Sequence, residues 1–268
     1  MNRMDLYAAM REKKSALCVG LDPDPTKFPK HISRDHKGLV EFCKAIIDVT
    51  QEHCVAYKPN LAFFEAFGPA GWDMLAEVMD HIPKHIFTIA DAKRGDIGNT
   101  SKMYAKAFFE HFDFDAVTVA PYMGEDSVKP FLEFDNKWVI LLGLTSNKGS
   151  ADFQRIATSD GMLYENVLRK SQSWGNADNM MYVVGATHGE ELSHVRSLVP
   201  DHFFLVPGVG AQGGDAATVI RHGANDMGGV LINASRSILY ASDGEDFTSE
   251  AEKECLKLNK DMSALFED

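Results

Sequence analysis

Between Asp91 and Thr100 the sequence reads Asp-Ala-Lys-Arg-Gly-Asp-Ile-Gly-Asn-Thr, which sets an anion, a cation and a second anion (Asp91, Lys93 and Asp96) within six residues. Charges this close can hold an ammonium ion in a fixed field, which suits proton transfer or stabilisation of a developing negative charge. The preceding run, His85 to Ala90, is short, apolar and rich in β-branched and aromatic residues, as a buried strand is. Charge therefore begins where a buried strand is expected to end. Residues two apart on a strand share a face, so Asp91 and Lys93 are expected to point the same way if the extended conformation persists, with Asp96 on the loop beyond. Taken alone, the stretch serves equally well as a solvated turn that caps a strand. Residues elsewhere in the chain decide between the two.

Those residues stand at the ends of other expected strands. Ser15 to Leu21 delivers Asp22 into Asp-Pro-Asp-Pro, which cannot continue a ladder because proline lacks an N–H donor. Cys54 to Tyr57 ends at Lys58, before Pro59, and Ala116 to Ala120 ends at Pro121. Trp138 to Leu144 opens into Thr145-Ser146-Asn147. Met180 to Gly185 follows, and Phe203 to Val206 opens into the glycine-rich PGVGAQGGD, Pro207 to Asp215. Gly229 to Ile232 leads through Asn233, Ala234 and Ser235 to Arg236. Between these runs the apolar residues recur at helical spacing: Asp5 to Lys13, Leu39 to Val49, Leu61 to Ile82 with a break at Gly68-Pro69, Ser101 to Phe112, Asp126 to Phe134, Met162 to Trp174, Gly189 to Leu198 and Ala216 to His222. Helical patterns close the chain, and Lys148 to Ser159 reads as irregular.

Eight strand-then-helix units with apolar strands predict an all-parallel sheet covered by helices, closing as a (β/α)8 TIM barrel in one domain, residues 1–268, with the short N-terminal helix laid over one end. An open doubly wound sheet is the alternative, but its early dinucleotide fingerprint is missing, since GVGAQGG comes only after the seventh strand. In a parallel barrel the strand C-termini share one face. Asp22, Lys58, Asp91, Lys93, Ser146, Gln212 and Arg236 are therefore expected to converge on one pocket. Singly, each has a plain reading: Lys58 as a surface cation, Asp22 as the start of an Asp-Pro turn. Arg236, at a helix N-terminus, opposes the helix dipole unless an anion lies between them, which favours phosphate. Gly208, Gly210, Gly213 and Gly214 would let backbone N–H groups approach phosphate oxygens.

Composition narrows the partners. With 27 basic against 39 acidic residues the net charge is -12, which argues against nucleic acid or an anionic membrane as the general partner. Cys18, Cys43, Cys54 and Cys255 lack metal-type spacing and are expected to be reduced thiols. No stretch is long and apolar enough for a signal peptide or a membrane span, so a soluble cytoplasmic protein is expected.

The pattern Asp91-x-Lys93-x-x-Asp96-Ile97-x-x-Thr100, with Lys58-Pro59-Asn60, PGVGAQGGD and the late Ser235-Arg236-Ser237, closely resembles the orotidine 5′-phosphate decarboxylase family, particularly its longer bacterial variety. The resemblance runs from the first strand to the eighth. It implies a barrel homodimer that converts orotidine 5′-monophosphate to uridine 5′-monophosphate and carbon dioxide in de novo pyrimidine synthesis, with neither metal nor organic cofactor. It further implies that Lys93 protonates the C6 carbanion within an array formed by Lys58, Asp91 and the Asp96 of a second subunit. Asp22 and Lys58 would contact ribose, Ser146 the pyrimidine, and Gln212 and Arg236 the phosphate, while Ile97 and Thr100 would complete the neighbouring site. One departure is visible: Ser235 stands where many relatives have glycine, so its side chain must be accommodated near phosphate. Two rivals remain. A magnesium-dependent sugar-phosphate lyase or epimerase resembles Asp-x-Lys-x-x-Asp but not the KPN and DIGNT segments, and a non-catalytic nucleotide-binding barrel should have lost at least one of the four charged residues.

Overall fold

Leu17–Leu21 (β1), Ala56–Pro59 (β2), Phe87–Arg94 (β3), Ala116–Val119 (β4), Trp138–Leu144 (β5), Met180–Val184 (β6), Phe204–Pro207 (β7) and Val230–Ala234 (β8) pair in parallel in chain order. The ring closes between β8 and β1, through Leu17↔Ile232, Cys18↔Asn233 and Val19↔Ala234. This is the expected eight-stranded barrel, and closure rules out the open sheet. The structure, a computed structural model, describes residues 1–185, 189–208 and 215–266.

The strands are largely apolar because both faces are covered. β1, β6 and β8 are buried at every position. One face fills the barrel and the other lies under helices. The helix His36–Thr50 starts at Asp35, whose carboxylate accepts the Gly38 N–H at 3.0 Å, and buries Leu39, Val40, Phe42, Cys43, Ile46 and Ile47. The stretch from Leu61 is split into Leu61–Glu65 and Pro69–His81, with Gly68 between them at φ 63°. Gly98–Lys106 runs on as a π turn, Ala107–His111. The expected irregular segment holds a 3-10 turn, Lys148–Asp152, and Ala157–Thr158 then pairs with Gly161–Met162 as a small hairpin. Among the described residues no helix is long and apolar enough to cross a membrane.

The N-terminal helix, Arg3–Lys13, buries Leu6 and Met10. Just before it, the Met1 carbonyl accepts the Trp138 indole N–H at 2.9 Å, and its own Arg3 donates to the Asp201 carbonyl at 2.6 Å. Trp138 opens β5 and Asp201 precedes β7, so the helix crosses the N-terminal end of the barrel, away from the strand ends that carry the charged residues. Nearby, the half-buried Arg196 guanidinium donates to the carbonyls of Val199, Pro200, His202, Gly223 and Gly229, tying the loops below β7 and β8 together.

His202 is buried at this end with both ring nitrogens unpartnered, its ring 5.2 Å from that of Tyr182. Burial lowers its pKa from 6.5 to about 4, so the folded protein holds it neutral while the unfolded chain takes up a proton below 6.5. Stability is then lost as pH falls from 6.5 towards 4, by about 3 kcal/mol from this group. His202→Phe keeps the ring packing and removes the proton site. Urea titrations at pH 6.5 and pH 4.5 are expected to show a smaller loss for the variant than for the parent; equal losses would place the acid sensitivity elsewhere.

Candidate active site

The strand end expected at Ala90 lies at Arg94, and the catalytic-type charges are inside β3. Ala90 pairs with Val117 and Arg94 with Val119, so Asp91, Ala92 and Lys93 together stand opposite the single residue Thr118. This is a β-bulge with two extra residues rather than the usual one. Within it Lys93 adopts φ 47°, a conformation side chains other than glycine's seldom take. Asp91 and Lys93 still converge as the spacing suggested, but the bulge rather than plain strand alternation brings them together. Lys93 Nζ donates to Asp91 Oδ1 at 2.5 Å and Lys58 Nζ to Asp91 Oδ2 at 2.7 Å. Arg94 turns the other way, paired with Glu65 and lying 5.6 Å from the rings of Tyr104 and Phe108.

Lys58 is placed by its neighbour. The Tyr57 hydroxyl, on the outer face of β2, donates to the Ile47 carbonyl at 3.1 Å and shares a 2.7 Å bond with the Thr50 hydroxyl, so the next side chain must enter the barrel. Lys58 is only 4% exposed. Burial alone would discharge it, but the carboxylates of Asp91 and Asp22 outweigh burial and raise its pKa. Burial likewise pushes the Asp91 carboxyl upward, and the ammonium groups of Lys58 and Lys93 reverse this, holding it at about 2. Lys58 and Asp91 thus remain ionised over the ordinary pH range. Both oxygens of Asp91 carry an ammonium, which leaves it poorly suited to a divalent cation. Among the described residues no group of three His, Cys, Asp or Glu side chains is placed to hold a metal ion.

Lys58, Asp91, Lys93 and Thr118 line one cavity with Leu142, Thr145, Ser146, Asn147, Val183, Leu205 and Pro207. Its volume is about 230 Å³, with aliphatic side chains from β5, β6 and β7 as a wall. Ser146 therefore joins the charged array, as expected. Gln154 braces this rim: its side-chain oxygen accepts the Thr145 N–H and its amide donates to the Thr145 hydroxyl, both at 2.8 Å. A wider, open groove on the outer surface, lined by His36, Lys44, Asp48, Glu77 and His81, has its charges paired among themselves and lies between helices remote from the strand ends.

Asp22, just past β1, has a buried carboxylate oxygen with no partner, an acceptor open to a donor from a ligand. Its loop is pinned by Tyr240, whose hydroxyl donates to the Asp22 carbonyl and accepts the Asp24 N–H, both at 2.7 Å. Ser235 is accommodated by leaning over β1. A Cβ built on Gly20 would sit 1.9 Å from the Ser235 hydroxyl, so the serine fills the space that glycine leaves. Arg236 follows at the start of the short helix Arg236–Leu239, exposed. Gln212 lies outside the described residues.

Asp96, Ile97 and Thr100 do not enter the cavity of their own chain. Asp96 accepts the Ile97 N–H at 2.7 Å, and among the described residues no salt bridge joins it to Lys93. Ile97 is 56% exposed, and Thr100 is exposed in the first turn of Gly98–Lys106. Thr118, Gln154 and Tyr240 were missed from the sequence. A hydroxyl inside the apolar run Ala-Val-Thr-Val-Ala was the signal available for Thr118; Gln154 and Tyr240 gave none, because their partners are distant or on an irregular loop.

Residues 15–250, which include all eight strands, match the family model described as Orotidine 5'-phosphate decarboxylase / HUMPS family. An orotidine 5'-phosphate decarboxylase of Flavobacterium johnsoniae is 53% identical over 270 residues, covering 100% of this chain and 99% of its own. Among solved structures, the OMP decarboxylase of Leishmania donovani superposes with a TM-score of 0.84 at 40% identity, covering 98% of this chain and 99% of its own. The UMP synthase of the same organism gives 0.85 at 42% identity, with 97% of this chain matched to 56% of that longer one. A barrel of this topology, a paired Lys58-Asp91-Lys93 array at its strand ends and these matches together establish that the chain belongs to the orotidine 5'-phosphate decarboxylase family.

Proposed function

We propose that this protein is a carboxy-lyase that converts orotidine 5′-monophosphate to uridine 5′-monophosphate and carbon dioxide in pyrimidine biosynthesis, with Lys93 protonating C6. The observation that carries the reading is the alternation of Lys58, Asp91 and Lys93 on the floor of the cavity, with Asp91 bonded on both sides. Loss of carbon dioxide leaves an electron pair on C6. An ammonium fixed by Asp91 beside that carbon stabilises the charge without rearranging, then delivers its proton to complete the C–H bond. Asp91 lies beside the departing carboxylate, Asp22 and Lys58 receive the ribose hydroxyls, and Ser146 faces the pyrimidine. Gln212 and Arg236 grip the phosphate.

The site is completed by a second copy of the chain, which contributes Asp96, Ile97 and Thr100. Supporting this are the exposure of Ile97 and Thr100 and the neighbouring apolar surface, with Met103 58%, Tyr122 87% and Met123 48% exposed. The chemistry needs no metal or organic cofactor. Four unpaired, buried thiols suit a reducing cytoplasm.

Loss of orotate absorbance on adding the nucleotide tests the reading directly. Full activity in excess chelator is expected; activity that vanished with chelator and returned with magnesium would favour the sugar-phosphate enzymes instead. For Arg236→Ala, a large fall in turnover of the phosphorylated substrate is expected, with little change on a truncated substrate lacking phosphate. Remote binding energy is used to organise the reacting centre, so its loss is felt in the transition state. Equal impairment on both substrates would remove Arg236 from the phosphate site.

A further inference from the structure

Three residues of β3 face one residue of β4 at the bulge, and the backbone of the bulge cannot be satisfied by the ladder alone. Thr118, 1% exposed, supplies what is missing. Its hydroxyl oxygen accepts the N–H of Ala92 at 2.9 Å and that of Lys93 at 2.8 Å. Its own proton faces Asp91 Oδ1 at 3.3 Å and the Ala90 carbonyl at 3.4 Å. A hydroxyl has two acceptor lone pairs and one donor, so the bonding capacity of this group is used in full. The carboxylate oxygen that Thr118 faces is the one that holds the Lys93 ammonium. One oxygen atom therefore touches the backbone of the lysine and the carboxylate that aims its side chain.

We propose that Thr118 is a positioning residue for catalysis, its hydroxyl holding the β3 bulge in the conformation that brings Lys93 and Asp91 into register. Without it two partly buried N–H groups lose their partner, and the bulge is free to relax away from φ 47° at Lys93. The ammonium is then displaced from the reacting carbon, whereas the groups that bind ribose and phosphate, on other strands, are untouched. This inference rests on the proposed decarboxylation for its kinetic readout, but not for its structural one.

Thr118→Val preserves shape and removes the hydroxyl; Thr118→Ser preserves the hydroxyl. With orotidine 5′-monophosphate, Thr118→Val is expected to lower kcat by about 10²-fold, with KM and the affinity for uridine 5′-monophosphate unchanged, and Thr118→Ser is expected to recover most of the loss. A folded Thr118→Val protein with parental kcat, or a serine variant as impaired as the valine one, would overturn the proposal. Amide hydrogen exchange on the unaltered protein gives a second measure that needs neither variant nor activity. The N–H groups of Ala92 and Lys93 are expected to exchange slowly, and exchange as fast as that of exposed loop amides would equally overturn it. An unaltered protein that left the nucleotide intact would defeat the proposed reaction, with the exchange measurement still deciding the role of Thr118.

Discussion

Lys93→Ala should abolish decarboxylation, lowering kcat by at least about 10⁴-fold, the upper range for a lost general acid, while the circular dichroism spectrum and melting behaviour stay close to those of the parent. Both halves of that result come from the geometry. The Lys93 side chain is 53% exposed, so its removal opens no hole in the core. Asp91, left behind, keeps its 2.7 Å bond to Lys58, so no buried carboxylate is stranded. Truncating Lys58 would be different, because that ammonium is buried and its loss would leave Asp91 without its deeper partner, at a cost of about 3–5 kcal/mol. A folded Lys93→Ala protein that turned over substrate normally would remove the lysine from the proposed proton transfer.

A second large effect, in the opposite direction, is expected when two inactive proteins are mixed. In the proposed twofold pair each site would draw Lys93 from one chain and Asp96 from the other. Asp96→Asn is the better second variant, because an amide oxygen can still accept the Ile97 N–H that Asp96 now holds. A heterodimer of Lys93→Ala and Asp96→Asn chains carries both defects in one site and none in the other. With free exchange half the dimers are mixed and each has one intact site, so activity should rise from near zero to roughly a quarter of the parental value per site. If mass spectrometry showed complete exchange without recovery, Asp96 would have to act within its own chain.

The barrel was legible because each strand is a short apolar run that ends in a turn-forming or charged residue, and eight such runs in a parallel sheet have few ways to arrange themselves. The charged floor was legible for the same reason, since Lys58, Asp91 and Lys93 follow directly on apolar runs. The bulge was not. Nothing in Asp-Ala-Lys-Arg announces that β3 continues to Arg94 or that Lys93 takes a positive φ, because the cause lies in Thr118, on the neighbouring strand. Tyr240 was hidden likewise: its hydroxyl meets Asp22 and Asp24 from more than two hundred positions away, a pairing that local patterns cannot contain. Gln154 fell within a segment without periodicity, so no face could be assigned to it.

The crowding of Ser235 over Gly20 constrains how this chain can change over generations. An alanine at position 20, two residues before Asp22, would put its methyl carbon 1.9 Å from the hydroxyl and 3.0 Å from the Cβ of Ser235, which precedes Arg236, and 3.1 Å from Asn233 Oδ1. Glycine at 235 would relieve the two serine clashes, so a lineage could pass from the present pair towards alanine at 20 far more easily by losing the serine first. The reverse order requires the serine hydroxyl to swing to another rotamer and its Cβ to give by a few tenths of an ångström beside the closing seam of the barrel. The two positions, more than two hundred residues apart in the chain, are thereby coupled, and the serine at 235 is accommodated with least rearrangement beside a glycine at 20.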